Sequence, residues 1–204
     1  LYDLDSPWSP DRDFYLSQAG PPPQSILDLG CGTGLICNAY AELGHGVTGV
    51  DPAPAMLEIA RRKPCGAQIE WVEATAQTFR SDKRFDLIIM TGHAFQVLLE
   101  DADVRAAFET MRIHLKPEGK CVFESRNRAI DWAVEWSGEF SLETPQAAVR
   151  ESWRVFPMTN DRLKFESVYR FPDKTMISKS ELRFMSRTEI EACLAAAGLR
   201  VDSL

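Results

Sequence analysis

Three glycines spaced two apart, Gly30, Gly32 and Gly34, follow an apolar run in ILDLGCGTGL, residues 26–35. Lacking side chains, they let the chain turn sharply and let a ligand approach the main chain. Alone, the triplet also suits a tight turn that binds nothing. Asp51, ending the next apolar run, stands at about the spacing at which an acid meets a ribose in nucleotide-binding α/β folds. A dinucleotide fingerprint needs a small residue at its last position, where this chain has Leu35. Asp28, just before the glycines, would repel a pyrophosphate but could receive an ammonium group, directly or through water. A dinucleotide is therefore not the expected ligand.

Further chemistry-bearing residues come later. His93 follows the apolar run RFDLIIMTG and either takes a proton from a nucleophile near neutral pH or orients its loop by hydrogen bonding. His45 and His114 fall at helix ends and read as surface or capping residues. Arg126 and Asn127 leave another apolar run, placed either to hold an anionic or polar substrate group or to close a loop salt bridge. Trp132 and Trp136, one helical turn apart, read as packing before substrate platform. The five cysteines (Cys31, Cys37, Cys65, Cys121 and Cys193) include no C-x-x-C pair and no histidine at ligand spacing. They read as reduced, mostly buried thiols, with no metal expected.

The elements that must position these groups alternate. SPDRDFYLSQAG is a proline-initiated helix; SILDLG a buried strand; TGLICNAYAELG a helix; GVTGVD a strand; PAPAMLEIARRK a helix. AQIEWV and RFDLIIM continue as strands, DADVRAAFETMRIHL as an amphipathic helix, and KPEGKCVFES as a turn into a strand. Continuous apolar strands of this kind suit a parallel sheet covered on both faces. After Asn127 the pattern changes. AIDWAVEWSG reads as a short helix, and ESWRVF, RLKFESVYRF and SELRFM alternate with period two between the turn signals PMTND and PDK. Residues 128–185 are therefore expected to be a helix plus antiparallel strands inserted as a lid, with Arg154, Lys164, Arg170 and Arg183 on a solvated face. SRTEIEACLAAAG carries a capping-box spacing, Ser186 to Glu189, and a strand is expected from Leu199. An initial Leu and an end inside an apparent strand suggest trimming at both ends.

The chain of 204 residues suits one domain, 1–204, with a full core. A net charge of -7 argues against a phosphate-backbone partner. No apolar run approaches membrane length and no signal peptide opens the chain, so a cytoplasmic location is expected.

Four segments, ILDLGCGTGL, VTGVDPAPAMLEIAR, RFDLIIMTGHAF and LKPEGKCVFE, together resemble the ordered motifs of the class I S-adenosylmethionine-dependent methyltransferases. The resemblance covers roughly residues 25–125. MTGHAFQVLL with FESRN resembles a bacterial group of small methyltransferases whose substrates are mostly unassigned. The resemblance implies a Rossmann-like α/β fold: a seven-stranded mixed sheet with helices on both faces. It also implies S-adenosylmethionine as cofactor and S-adenosylhomocysteine as product. Asp28 and the backbone of Gly30, Cys31, Gly32 and Gly34 would face the methionine part, and Asp51 the ribose hydroxyls. Pro52 and Met56 would lie against adenine or ribose. Thr75 stands where the family carries an acid that meets the adenine amino group, so a hydroxyl replaces a carboxylate there, and the Ala76 amide would meet the adenine ring nitrogen. Met90, Thr91 and Gly92 would line the passage to the substrate, with Phe95, Arg126 and Asn127 beyond it, and Tyr2, Trp8 and Tyr15 would cover the cofactor. The expected activity is methyl transfer to a small-molecule acceptor. The alternatives are an RNA or protein methyltransferase, a cofactor-binding protein without turnover, and last an NAD-dependent oxidoreductase, which Leu35 opposes.

Overall fold

The computed structural model of the chain describes residue 3 and residues 8–136, 138–144 and 148–203. Five strands, β1 (Ser25–Leu29), β2 (Gly46–Asp51), β3 (Glu70–Glu73), β4 (Phe85–Met90) and β5 (Leu115–Phe123), form one sheet in the order β3-β2-β1-β4-β5. Every pairing in it is parallel. The strand order reverses between β1 and β4, which opens a crevice outside their carboxyl ends, the usual ligand position in such sheets.

Alternation along the central strands makes two cores. Ile26, Leu87 and Ile89 point to one face, covered by Tyr15 of α1 (Pro10–Ser17), by Ile36, Cys37 and Tyr40 of α2 (Leu35–Glu42) and by Leu57 of α3 (Pro54–Arg61). Leu27, Leu29, Ile88 and Met90 point to the other, under Val104, Ala107, Phe108 and Met111 of α4 (Asp101–His114). Burial on both faces is why these strands read as continuous apolar runs.

Beyond β5, the short helix α5 (Trp132–Glu135) precedes β6 (Glu139–Glu143), β7 (Ala148–Val155), β8 (Arg162–Arg170) and β9 (Thr175–Arg183). These four pair antiparallel in the order β6-β7-β8-β9. The expected seven-stranded mixed sheet is thus corrected to a five-stranded parallel sheet beside a separate four-stranded one. The hairpins satisfy their own ladders locally, so no described strand of this segment joins β5.

Ser186 and Glu189 form the capping box that starts α6 (Arg187–Ala196). The strand expected from Leu199 is not formed. Gly198 takes a left-handed φ of 76° and the Leu199 amide turns back onto Leu194 O at 2.9 Å, closing the helix. Residues 200–203 pair with no strand. No helix of the described residues is long and apolar enough to cross a membrane.

The second sheet is tied to the first by ions. Arg183, expected on a solvated face, is instead 11% exposed and pairs with Asp101 of α4 and with Asp161, each at 2.7 Å. Arg162 reaches Glu100 at 3.2 Å and the Leu99 carbonyl. The two carboxylates on Arg183 offset the cost of enclosing that cation.

The turn from β1 into α2 depends on Gly34, which has φ 69° and whose added Cβ would stand 2.3 Å from the Trp71 ring. Gly34→Ala combines left-handed strain with overpacking. It is expected to cost about 2 kcal/mol or more and to lower the thermal midpoint by several degrees. An unchanged midpoint in a thermal melt would contradict that account.

Candidate active site

The carboxyl end of β1 is welded to β2: the amides of Gly30 and Cys31 both donate to Val50 O, at 2.8 and 3.0 Å. This brings Gly32 over the end of β2, where its amide donates to Asp51 Oδ2 at 2.8 Å. Asp51 Oδ1 accepts from the Ala53 amide, also at 2.8 Å. Each carboxylate oxygen retains a second lone pair for a ligand hydroxyl. Pro52 is exposed and Met56 half-buried at the start of α3, beside this acid. Beyond β3, the Thr75 amide and hydroxyl are both engaged by the Thr78 hydroxyl, at 3.1 and 2.9 Å, and Ala76 is buried next to them.

Asp28 is fully buried in β1. Its Oδ2 accepts from the Cys37 thiol at 3.2 Å, and its Oδ1 has no partner. Burial pushes its pKa up to about 7, and the nearby Asp51 charge pushes the same way. Cys31, Cys37 and Cys65 are buried free thiols, as expected, and Cys121 and Cys193 are partly so.

At the end of β4, Met90 is buried, and Gly92 and His93 are consecutive left-handed residues with φ 61° and 75°. A histidine there is uncommon and costs of order 1 kcal/mol. The Gly92 amide donates to Glu124 Oε1 at 3.0 Å, and the Tyr15 hydroxyl to Glu124 Oε2 at 3.4 Å. Tyr15 is thus a buried core residue of α1 with only its hydroxyl reaching this edge. His93 Nδ1 lies 3.9 Å from Glu124 Oε1, and its Nε2 meets Arg126 Nη2. A guanidinium only donates, so Nε2 is the acceptor and the imidazole is neutral with its proton on Nδ1. Burial, then the Arg126 charge, holds the His93 pKa down to about 3. The nitrogen that would act as a base is occupied by Arg126.

Arg126 closes the site. Its Nη1 donates to Gln96 Oε1 at 3.2 Å, and its guanidinium lies 4.8 Å from the Trp136 ring centroid and 5.4 Å from that of Trp132. Gln96, 1% exposed, also donates to Arg183 O at 3.2 Å, connecting β9 to this loop. Trp132 and Trp136 pack on Phe184 and on Trp153 and Phe165 respectively, the packing role their spacing suggested. Asn127 is exposed, and its Oδ1 caps the following turn by accepting from Ala129 at 2.9 Å. Phe95, expected beside the substrate, is corrected to a core position. It is 2% exposed and packs on Phe108 and Phe123, with centroids 5.6 and 4.8 Å away. Trp8 is exposed and its indole N–H donates to Asp13 at 2.8 Å, and Tyr2 lies outside the described residues. Asp3, by contrast, reaches the Thr33 hydroxyl of the glycine turn and pairs with Lys63 at 2.6 Å.

His45 and His114 are corrected as well. Both are buried acceptors, of the Gln24 amide at 3.2 Å and of the Ser81 amide at 3.0 Å. Glu124 and Gln96 lie within the segments FESRN and MTGHAFQVLL, whose pattern assigns them no role, although Glu124, just past β5, stands much as Asp51 does at the end of β2.

Four buried side-chain atoms among the described residues have no hydrogen-bond partner: Asp28 Oδ1, His93 Nδ1, Ser125 Oγ and Arg183 Nη1. Three of them belong to β1 or to the segments just past β4 and β5, around the crevice at the strand carboxyl ends. Polar groups buried in this way are rare in folded proteins, and three at one edge mark a place chemically suited to receive a polar ligand. A groove of about 770 Å³ at the opposite, amino ends of the strands shows the reverse. Its Lys116 pairs with Asp86 at 2.7 Å and its Lys120 with Gln18 at 3.1 Å, leaving those groups satisfied.

The parallel order, the glycine turn and the acid ending β2 give the chain the Rossmann-like fold of the class I S-adenosylmethionine-dependent methyltransferases. Residues 26–119 match a family described as a methyltransferase domain. The chain is 31% identical over 106 residues to a cypemycin N-terminal methyltransferase of a Streptomyces species, covering 52% of this chain and 43% of that protein. It is 30% identical over 150 residues to the ubiquinone biosynthesis O-methyltransferase of Histophilus somni, covering 62% and 61%. It thus spans about half the length of the curated relatives it matches. Among solved structures it resembles S-adenosylmethionine-bound CalS10, an amino pentose methyltransferase of Micromonospora echinaspora, at TM-score 0.80 and 25% identity, covering 97% and 86%. Streptomyces venezuelae DesVI, at 22% identity and the same TM-score, shares the fold over 99% of this chain and 86% of its own.

Asp28 is expected to make the stability of the chain pH-sensitive. Its folded-state pKa of about 7 lies above the ordinary 3.8, so the folded chain holds a proton there that the unfolded chain has lost. That stabilisation is complete below about pH 4 and is lost as pH rises through 7, by up to about 4 kcal/mol. Denaturant melts at pH 5 and 8 are expected to show roughly 3 kcal/mol of this loss, the part that falls between those pH values, and Asp28→Asn to remove most of it. An equal loss in the variant would place the titration elsewhere.

Proposed function

We propose that the chain transfers the methyl group of S-adenosylmethionine to a small-molecule acceptor. The observation that carries the proposal is the unpartnered, buried Oδ1 of Asp28 beside the left-handed glycine turn. A carboxyl group shut away from water suits an ammonium group, whose charge would favour its ionised, acceptor-only form, and a dinucleotide offers none there. Asp28 and the backbone of Gly30, Cys31, Gly32 and Gly34 would hold the methionine part, and the free lone pairs of Asp51 the two ribose hydroxyls. Pro52 and Met56 would flank the adenosine, with the Thr75 hydroxyl and the Ala76 backbone at the adenine edge. Met90, Thr91 and Gly92 would border the path to the acceptor, and residues 128–185 would cover it.

When bound, the sulfonium supplies an electrophilic methyl carbon with a neutral thioether as leaving group. The protein's part is to align the acceptor and exclude water, which alone supplies much of the rate in such displacements. With Arg126 on its Nε2, His93 orients the loop and takes no proton, so an acceptor that enters with a free lone pair needs no base from this chain. The net charge of -7 favours a small acceptor over RNA.

Calorimetry with S-adenosylmethionine and S-adenosylhomocysteine is expected to show binding of both. Asp51→Asn is expected to weaken it about tenfold or more, the worth of one charge-assisted hydrogen bond. No binding of either ligand at high micromolar concentration would sink the proposal.

A further inference from the structure

Arg126 is a cation whose partners are all neutral. Gln96 Oε1 accepts from its Nη1 at 3.2 Å and from its backbone amide at 3.4 Å, His93 Nε2 accepts from its Nη2, and two indoles flank it. Arg128, Arg150, Arg154, Arg162 and Arg183, later in the chain, each reach a carboxylate within 4.0 Å; Arg126 reaches none among the described residues. The loop salt bridge that would explain its charge is therefore not made. Glu124, the acid that acts on it electrostatically, already accepts from the Gly92 amide and the Tyr15 hydroxyl.

Burial lowers the Arg126 pKa to about 10, so the surroundings penalise its charge. A strut between Gln96 and the tryptophans would need no charge at all. Two of its five guanidinium N–H groups are engaged in hydrogen bonds, which leaves three donors. The rings hold the plane of that fork fixed. The Ser125 hydroxyl, next in the chain, is buried and unpartnered as well. A guanidinium fork with three free donors and no carboxylate partner among the described residues matches an oxyanion, which accepts two parallel N–H bonds from one guanidinium.

We propose that the methyl acceptor carries an anionic group, a carboxylate or a phosphate, which the Arg126 guanidinium holds at the edge of the site. This rests on the methyltransferase reading of the same crevice. The same fork in a neutral-substrate enzyme would be left with an uncompensated charge.

The test titrates benzoate, phenyl phosphate and neutral benzamide into the protein saturated with S-adenosylhomocysteine, by calorimetry; an aromatic ring matches the flanking indoles. At least one of the two anions is expected to bind, and which one distinguishes carboxylate from phosphate. Benzamide is expected to bind at least tenfold more weakly. Arg126→Met, which keeps length without charge, is expected to lose the anion at least tenfold while S-adenosylhomocysteine affinity stays within twofold. Arg126→Lys is expected to recover part of the loss, and thermal melts establish that each variant is folded. The proposal is overturned if neither anion binds, if benzamide binds equally well, or if both variants bind the anion as the unaltered protein does. S-adenosylhomocysteine failing to bind overturns the methyltransferase reading itself; its binding with no Arg126-dependent anion overturns only the anchor.

Discussion

One carbonyl organises the carboxyl edge of the parallel sheet. Val50 O accepts the amides of both Gly30 and Cys31, so the chain leaving β1 is held against β2 before it enters α2. The glycine turn then has nowhere to go but over Asp51, whose carboxylate accepts the Gly32 amide. Left-handed backbone at Gly30, Gly32 and Gly34 makes the path possible, and the close approach of Ala94 and Trp71 to the places a Cβ would occupy makes it exclusive to glycine. The same turn encloses Asp28, raising its pKa and leaving one oxygen without a partner. A polar group buried in that state is costly until something binds it.

The second sheet reaches this edge through a chain of contacts. Arg183, at the end of β9, is clamped by Asp101 and Asp161; its carbonyl accepts from Gln96, and Gln96 accepts from Arg126. Arg126 in turn lies against the indoles that pack on Trp153, Phe165 and Phe184 of the antiparallel unit. A rearrangement of that unit cannot leave the guanidinium in place, because the rings and the amide that hold it belong to different elements. His93 is held from the opposite direction, through Glu124 and Gly92. The loop after β4 thus lies between a carboxylate and a guanidinium, both fixed by β5 and its extension.

Much of the first half was legible in the residues themselves. The glycine triplet and Asp51 work through backbone geometry within one βαβ unit, and local geometry leaves a mark in local sequence. The helix caps at Pro10 and Ser186 are legible for the same reason. The errors share the opposite cause. Phe95 carries no label saying whether it faces core or crevice, and only its contacts with Phe108 and Phe123 decide. Arg183 reads like any strand-end cation until Asp101, 82 positions earlier, is brought within 2.7 Å. The strand expected after Gly198 is apolar enough to pair, but the left-handed cap turns its first amide back onto the helix.

The sequence by itself determined the alternation of strands and helices, the nucleotide turn, the acid at the end of β2 and the change to period-two patterning after Asn127. Each is a choice made by a few adjacent residues, where steric and hydrogen-bonding preferences act over one turn or one strand. Only the tertiary structure decided that Arg126 has aromatic faces and neutral acceptors instead of a carboxylate, that His93 is neutral with its Nε2 occupied, and that Glu124 joins α1 to the loop after β4. Charge, burial and hydrogen-bond partners are properties of an assembled environment. They depend on residues separated by tens of positions, whose meeting is specified by the packing of both sheets rather than by any local segment.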